Sequence, residues 1–173
     1  LITNILKLNK LENQSIFTNT LRYDLSEQLC GCMLDFEAIW ERKGIKIDTD
    51  MEQEVFIEAD EELLSLVWNN LLSNAIKFTD EGGKVTLALK KTAEGVIVTV
   101  TDTGCGISEA TLPRIFEKFY QSDTSHSTAG NGLGLALVKR IIDITGGEIN
   151  VSSQLGKGST FTVTLKKENS YEQ

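Results

Sequence analysis

The 173 residues suit one domain with a short appendage, and 40% hydrophobic with 24% charged residues is the balance of a globular protein with a real core. A net charge of -8 argues against the basic stripe of a nucleic-acid binder, though not against a local cation for phosphate. No apolar run nears the roughly 18–20 residues that cross a bilayer, and Cys30, Cys32 and Cys105, odd in number and without CxxC spacing, argue against a disulfide framework or a zinc site and fit a reducing cytoplasm.

In chain order, Leu1, Ile5, Leu8 and Leu11 recur at helical spacing, so residues 1–14 read as the C-terminal end of a longer amphipathic helix. Residues 15–23 read as a linker. Ser26–Lys43 reads as a helix capped by Ser26, with Leu29, Met33, Phe36, Ile39 and Trp40 as its buried stripe and Gly44 as its stop. Short strands are expected at 45–49 and 55–59. Asp60 is a good N-cap for a helix reaching Phe78, with Glu61 and Glu62 where the dipole favours them. Lys84–Lys90 and Val96–Asp102 predict a hairpin through Glu94-Gly95. Residues 103–131 are polar and irregular around an apolar patch at Ile115, Phe116 and Phe119. Gly134–Thr145 predicts a helix stopped by Gly146-Gly147, and 148–153 and 160–165 predict two last strands. The expected fold is α+β: a two-layer sandwich, with a mixed, mostly antiparallel sheet and helices packed on one face.

Three features carry chemistry. On the helix ending at Phe78, Asn70, Asn74 and Lys77 line up at i, i+4 and i+7 beside the apolar stripe. Asparagine is an indifferent helix former, so the row is either a solvated edge or a set of oxygen ligands for Mg²⁺ with a cation for phosphate. Asp102 follows Val96, Val98 and Val100 on one strand face, which takes a carboxylate into the interior. Its donors are either backbone N–H groups of the turn through Gly104 and Gly106 or the amino group of an adenine. Glycines at 130, 132 and 134 feed a helix N-terminus, where backbone N–H groups and the helix dipole favour an anion. Walker-A, GxGxxG and eukaryotic-type kinase patterns are absent.

In this order the pieces resemble the histidine kinase branch of the gyrase, chaperone and histidine kinase ATPase superfamily. VWNNLLSNAIKFT (67–79) is similar to its asparagine box, VTDTGCGI (100–107), GNGLGLALVKRII (130–142) and GKGSTF (156–161) to its three glycine boxes, and RIFEKFY (114–120) to its phenylalanine box. The resemblance covers residues 24–166. It implies a catalytic ATP-binding domain over 24–168, followed by a tail at 169–173, with residues 1–14 ending a dimerisation and histidine-phosphotransfer helix. It implies ATP and Mg²⁺ as cofactors, Asn74 as the Mg²⁺ ligand with Asn70 beside it, and Lys77 on the phosphates, these three being the catalytic set. Asp102 would accept the adenine amino group. Gly104, Gly106 and Ile107 would shape the base pocket, Thr160 would close its far side and Tyr120 would cover the base. Residues 119–133 would form a lid over the triphosphate, hinged at Gly130, Gly132 and Gly134, which with Leu133 would also bind the nucleotide, while Phe116 and Phe119 would anchor the lid and dock the histidine-bearing helix.

The ATP-hydrolysing members of the superfamily carry a glutamate where Asn70 stands. An amide is no general base at pH 7, so the γ-phosphate is expected to be kept for a histidine imidazole. The single histidine, His126, falls in the lid region rather than on an amphipathic helix, and the acceptor is expected on a separate upstream helical domain. Gln121 and His126 stand where many members have arginine, so fewer lid cations than usual would face the phosphates beyond Lys118. The expected partners are that histidine-bearing dimerisation domain and a response regulator. The fragment is expected to be monomeric, and its parent a homodimer in the cell membrane with this domain in the cytoplasm. The rival readings are an ATPase clamp of the same superfamily, which steady ATP hydrolysis not increased by Asn70→Glu would favour, and a nucleotide-binding interaction module without transfer activity.

Overall fold

The computed structural model describes residues 7, 9–11, 18–120 and 132–167. Residues 7 and 9–11 are helical, and the buried Leu11 offers its carbonyl to the Arg140 guanidinium at 2.9 and 3.2 Å.

Strand β1 (Thr20–Asp24) leads into helices α1 (Leu25–Leu34) and α2 (Glu37–Lys43). Strands β2 (Lys46–Met51) and β3 (Phe56–Asp60) precede the long helix α3 (Glu61–Phe78). The hairpin of β4 (Lys84–Thr92) and β5 (Gly95–Asp102), helix α4 (Gly134–Ile144), and strands β6 (Glu148–Gln154) and β7 (Gly158–Lys166) complete the described elements. Five strands form one sheet in the order β2-β4-β5-β7-β6, parallel only between β2 and β4. Its inner face carries Val85, Leu87, Leu89, Val96, Val98, Val100, Phe161 and Val163, all buried against α3 and α4. Its outer face is half-exposed and rich in threonine (Thr86, Thr99, Thr101, Thr162, Thr164), a residue that suits a pleated surface facing water. This is the expected two-layer α+β sandwich with a mixed sheet.

Residues 20–23, read as linker, are a strand: Thr20 to Asp24 pair antiparallel with Asp60 to Phe56. No local signal marks this short polar strand, because its partner lies more than thirty residues downstream. The single helix expected over 26–43 is two. The chain turns at Asp35 and Phe36, whose N–H groups return to the Gly31 and Met33 carbonyls, and the break lets both Phe36 and Trp40 lean on the core. The cap of α1 is Asp24 rather than Ser26: the helix starts one residue early, and the Asp24 carboxylate accepts the Ser26 N–H at 2.9 Å. Asp60 caps α3 as expected, accepting from Leu63 N at 3.0 Å.

All three cysteines are free. Burial pushes the Cys32 thiol up to about 11 and raises that of Cys105, so neither has the lowered pKa of a reactive thiolate.

Candidate nucleotide site

The ends of α3 and β5 and the start of α4 meet at one edge of the sandwich. Three contacts tie them. A Cβ on Gly134, the first residue of α4, would lie 2.7 Å from Asn70 Oδ1 on α3, so any larger residue there would push that amide aside. A Cβ on Gly104 would lie 2.8 Å from Asp102 Oδ1 and closer still to the Phe78 carbonyl. The N–H of Cys105 donates to that same Phe78 carbonyl at 3.3 Å.

Asp102 ends β5 with 7% of its surface exposed. Its Oδ1 accepts the Gly104 N–H at 2.8 Å. Burial raises the carboxyl above the ordinary 3.8, and the backbone donors Gly104 and Ser159 partly hold it down. One of the turn donors weighed for this carboxylate, the Gly104 N–H, is therefore real, and it supplies Oδ1. Asn70, Asn74 and Lys77 lie half-buried on one side of α3. Asn70 Nδ2 donates to the Leu66 carbonyl at 2.7 Å, and this bond leaves the amide oxygen turned toward Gly134. The Lys77 ammonium sits 4.9 Å from the centre of the Phe78 ring, and burial lowers its pKa.

The expected pocket glycines are held by the β6–β7 hairpin. Gly106 backs onto the Gln154 carbonyl with φ +69°, the Ile107 N–H donates to Ser153 Oγ at 2.8 Å, and Gly156 N–H donates to the Cys105 carbonyl at 2.6 Å. Leu133 has its side chain fully buried in the core, which leaves only its backbone for the ligand contact expected of it. The Phe119 N–H donates to the Gly132 carbonyl at 2.9 Å, which joins the two ends of the expected lid. Phe119 itself is 65% exposed at φ 61°, and Arg114 stacks on the Tyr120 ring at 4.3 Å. Gly130, Gln121, His126 and the rest of that lid lie outside the described residues.

Thr160 is corrected. It pairs with Thr101 across β5 and β7, and the two hydroxyls meet at 3.1 Å on the face of the sheet away from Asp102. The register sets Ser159 opposite Asp102. Ser159 is 7% exposed, and its hydroxyl lies 2.8 Å from that of Ser153. Strand alternation is the reason: neighbours on β7 take opposite faces, and a shift of one position moves the residue out of the pocket. Two further residues escaped the sequence reading: Ser153, which holds Ile107, and Lys43, whose ammonium sits on carbonyls at the C-terminus of α3.

This arrangement offers a buried carboxylate acceptor, a row of amide oxygens ending in an ammonium, and the N–H groups of a helix start that no side chain caps among the described residues. A family model described as Histidine kinase-, DNA gyrase B-, and HSP90-like ATPase matches residues 59–169. The chain belongs to this ATPase family. Among curated relatives of this ATPase, the adaptive-response sensory kinase SasA of Crocosphaera subtropica is 38% identical over 167 residues, which is 95% of this chain and 44% of SasA. The chain thus spans under half of that relative's length. Among solved structures, full-length ShkA in complex with AMPPNP superposes with a TM-score of 0.84 at 32% identity, over 94% of this chain and 34% of ShkA. The catalytic domain of the histidine kinase ThkA gives 0.78 at 27% identity, over 87% of this chain and 97% of that domain. The ATPase domain described above is thus of the histidine kinase type.

Proposed function

We propose that this domain binds Mg-ATP where α3, β5 and the start of α4 converge, and offers the γ-phosphate to a histidine on a separate helical domain of its parent protein, for relay to a response-regulator aspartate. Asp102 carries the reading. A carboxylate buried at a strand end keeps its charge only with donors, and the Gly104 N–H supplies one to Oδ1. An adenine amino group is a donor of the right kind for the other oxygen, whereas guanine presents a carbonyl oxygen there, which a carboxylate repels. Gly104 lets the turn close on the Phe78 carbonyl and on Asp102, Gly106 lets it back onto the Gln154 carbonyl, and Ser159 stands beside the carboxylate.

Asn74 would hold Mg²⁺ through its amide oxygen, a hard donor that the ion accepts alongside phosphate and water. Once bound, the ion would neutralise charge on the phosphates as the transfer proceeds. Lys77 would bind a phosphate oxygen, and the uncapped start of α4 would direct its N–H groups at the same anion. Asn70 offers no proton acceptor for water, since a neutral amide is not a general base at pH 7. Hydrolysis is then unassisted. The acceptor imidazole forms the new P–N bond as the P–O bond to ADP breaks, and ADP leaves with the electron pair. Positioning supplies most of the catalysis. The parent is read as a membrane-anchored homodimer holding this domain in the cytoplasm.

The test mixes this chain with labelled Mg-ATP and the separately expressed histidine-bearing domain of its parent. Acid-labile, base-stable label on that domain is expected. Tight Mg-ADP binding with no transfer would reduce the reading to a nucleotide-binding module, and steady ATP hydrolysis in its place would favour an ATPase clamp.

A further inference from the structure

A helix ends with four carbonyls that lack partners, and α3 ends beside the candidate site. Ala75 O takes the Thr79 N–H and hydroxyl at 3.1 and 2.6 Å, and Phe78 O takes the Cys105 N–H. The remaining two, Ile76 O and Lys77 O, take the ammonium of Lys43 at 2.8 and 3.2 Å, and the same ammonium reaches Thr79 O. Lys43 is the last residue of α2, more than thirty positions upstream of these acceptors. An ammonium has three N–H donors radiating from one atom, and here all three are used. A cation at a helix C-terminus is also favoured by the helix dipole.

Lys43 is bonded into the next turn as well. Its carbonyl accepts the Gly82 N–H at 3.0 Å, and Lys46 N–H donates to Gly83 O at 2.8 Å. Gly83 packs so closely on Thr79 and Thr103 that it has no room for a Cβ. The strut therefore runs from α2 into the turn that hands α3 over to the Thr103–Gly104 wall.

We infer that Lys43 is a positioning residue for the nucleotide site: its ammonium sets the last turn of α3, and through it the Lys77 side chain and the Asn74 amide one turn back. It touches no ligand itself, and the inference rests on the Mg-ATP reading above. A guanidinium is a planar fork and cannot place three donors from one point onto these carbonyls, so arginine keeps the charge but not the geometry.

The test compares wild type, Lys43→Arg and Lys43→Met by thermal melt and by calorimetric titration with Mg-ADP and with adenosine, all well below the melting temperature. Lys43→Arg is expected to melt near wild type yet bind Mg-ADP about tenfold more weakly, since small misplacements of binding groups cost this much or more. Adenosine, which lacks phosphates, should change far less, and Lys43→Met should lose more Mg-ADP affinity than arginine does. Lys43→Arg binding Mg-ADP within twofold of wild type would overturn the inference, leaving Lys43 as a cap that any cation serves. That comparison stands even if Lys43→Met fails to fold. Wild type that binds no Mg-ADP would refute the site reading itself.

Discussion

Replacing Asp102 by asparagine separates stability from recognition at one atom. The amide is isosteric and its oxygen can still accept the Gly104 N–H, which the carboxylate accepts at 2.8 Å. The second oxygen becomes an NH₂ group and would face the adenine amino group, donor against donor. The loss is one charge-assisted hydrogen bond, about 1.5–3 kcal/mol, or roughly 10- to 150-fold in Kd at about 1.4 kcal/mol per tenfold. Guanine presents an acceptor at that position, so the preference for Mg-ADP over Mg-GDP should shrink or reverse. Stability should move the other way. Burial raises the folded-state pKa of Asp102 above 3.8, so its contribution to stability is fully present below the unfolded pKa and is lost as pH rises through the folded one. At pH 7 the ionised carboxylate therefore costs stability, and Asp102→Asn should melt no lower than wild type at pH 7. Calorimetric titration with Mg-ADP and Mg-GDP, beside thermal melts, reads both effects. A variant that binds Mg-ADP within about threefold of wild type, or a wild type that binds both nucleotides equally, would refute the assignment of Asp102 to the base.

The remaining predictions follow from the same geometry. Mg-ADP affinity should fall as pH drops through the raised Asp102 pKa, above the 3.8 of an ordinary aspartate, and Asp102→Asn should lack this step in a pH series of titrations. Gly134→Ala puts a methyl 2.7 Å from Asn70 Oδ1; it should weaken Mg-ADP binding about tenfold while leaving the melting temperature near wild type, because alanine returns up to ~1 kcal/mol of helix propensity. Thr160→Val should leave Mg-ADP affinity within about twofold, whereas Ser159→Val, which adds bulk beside Asp102, should reduce it about tenfold by the same titration.

How much of this was legible in the sequence depends on how far apart the deciding residues lie. Helix α3 was readable to the residue because its signals are local: an Asp60 cap, acidic first-turn residues, and a stripe of Leu64, Val67, Leu71, Ala75 and Phe78, of which the first four came out buried and Phe78 half-buried. Asp102 was readable too, since three alternating valines fix the face on which the carboxylate follows. Thr160 was misread because the face of a β7 residue depends on its register with β5, nearly sixty positions away, and a slip of one position exchanges the faces. Strand β1 went unseen for a similar reason, since five polar-leaning residues become a strand only against β3.

The sequence by itself determined which residue types stand at each end of which element, and so the kind of ligand the edge of the sandwich can take. Periodicity, caps and glycine placement act over a few residues, and the chain alone carries them. Tertiary structure decided which of those groups meet: Ser159 rather than Thr160 beside Asp102, Gly134 against Asn70, and the Lys43 ammonium on the last turn of α3. Those meetings depend on strand register and on the close approach of helices distant in sequence, and no local pattern encodes either.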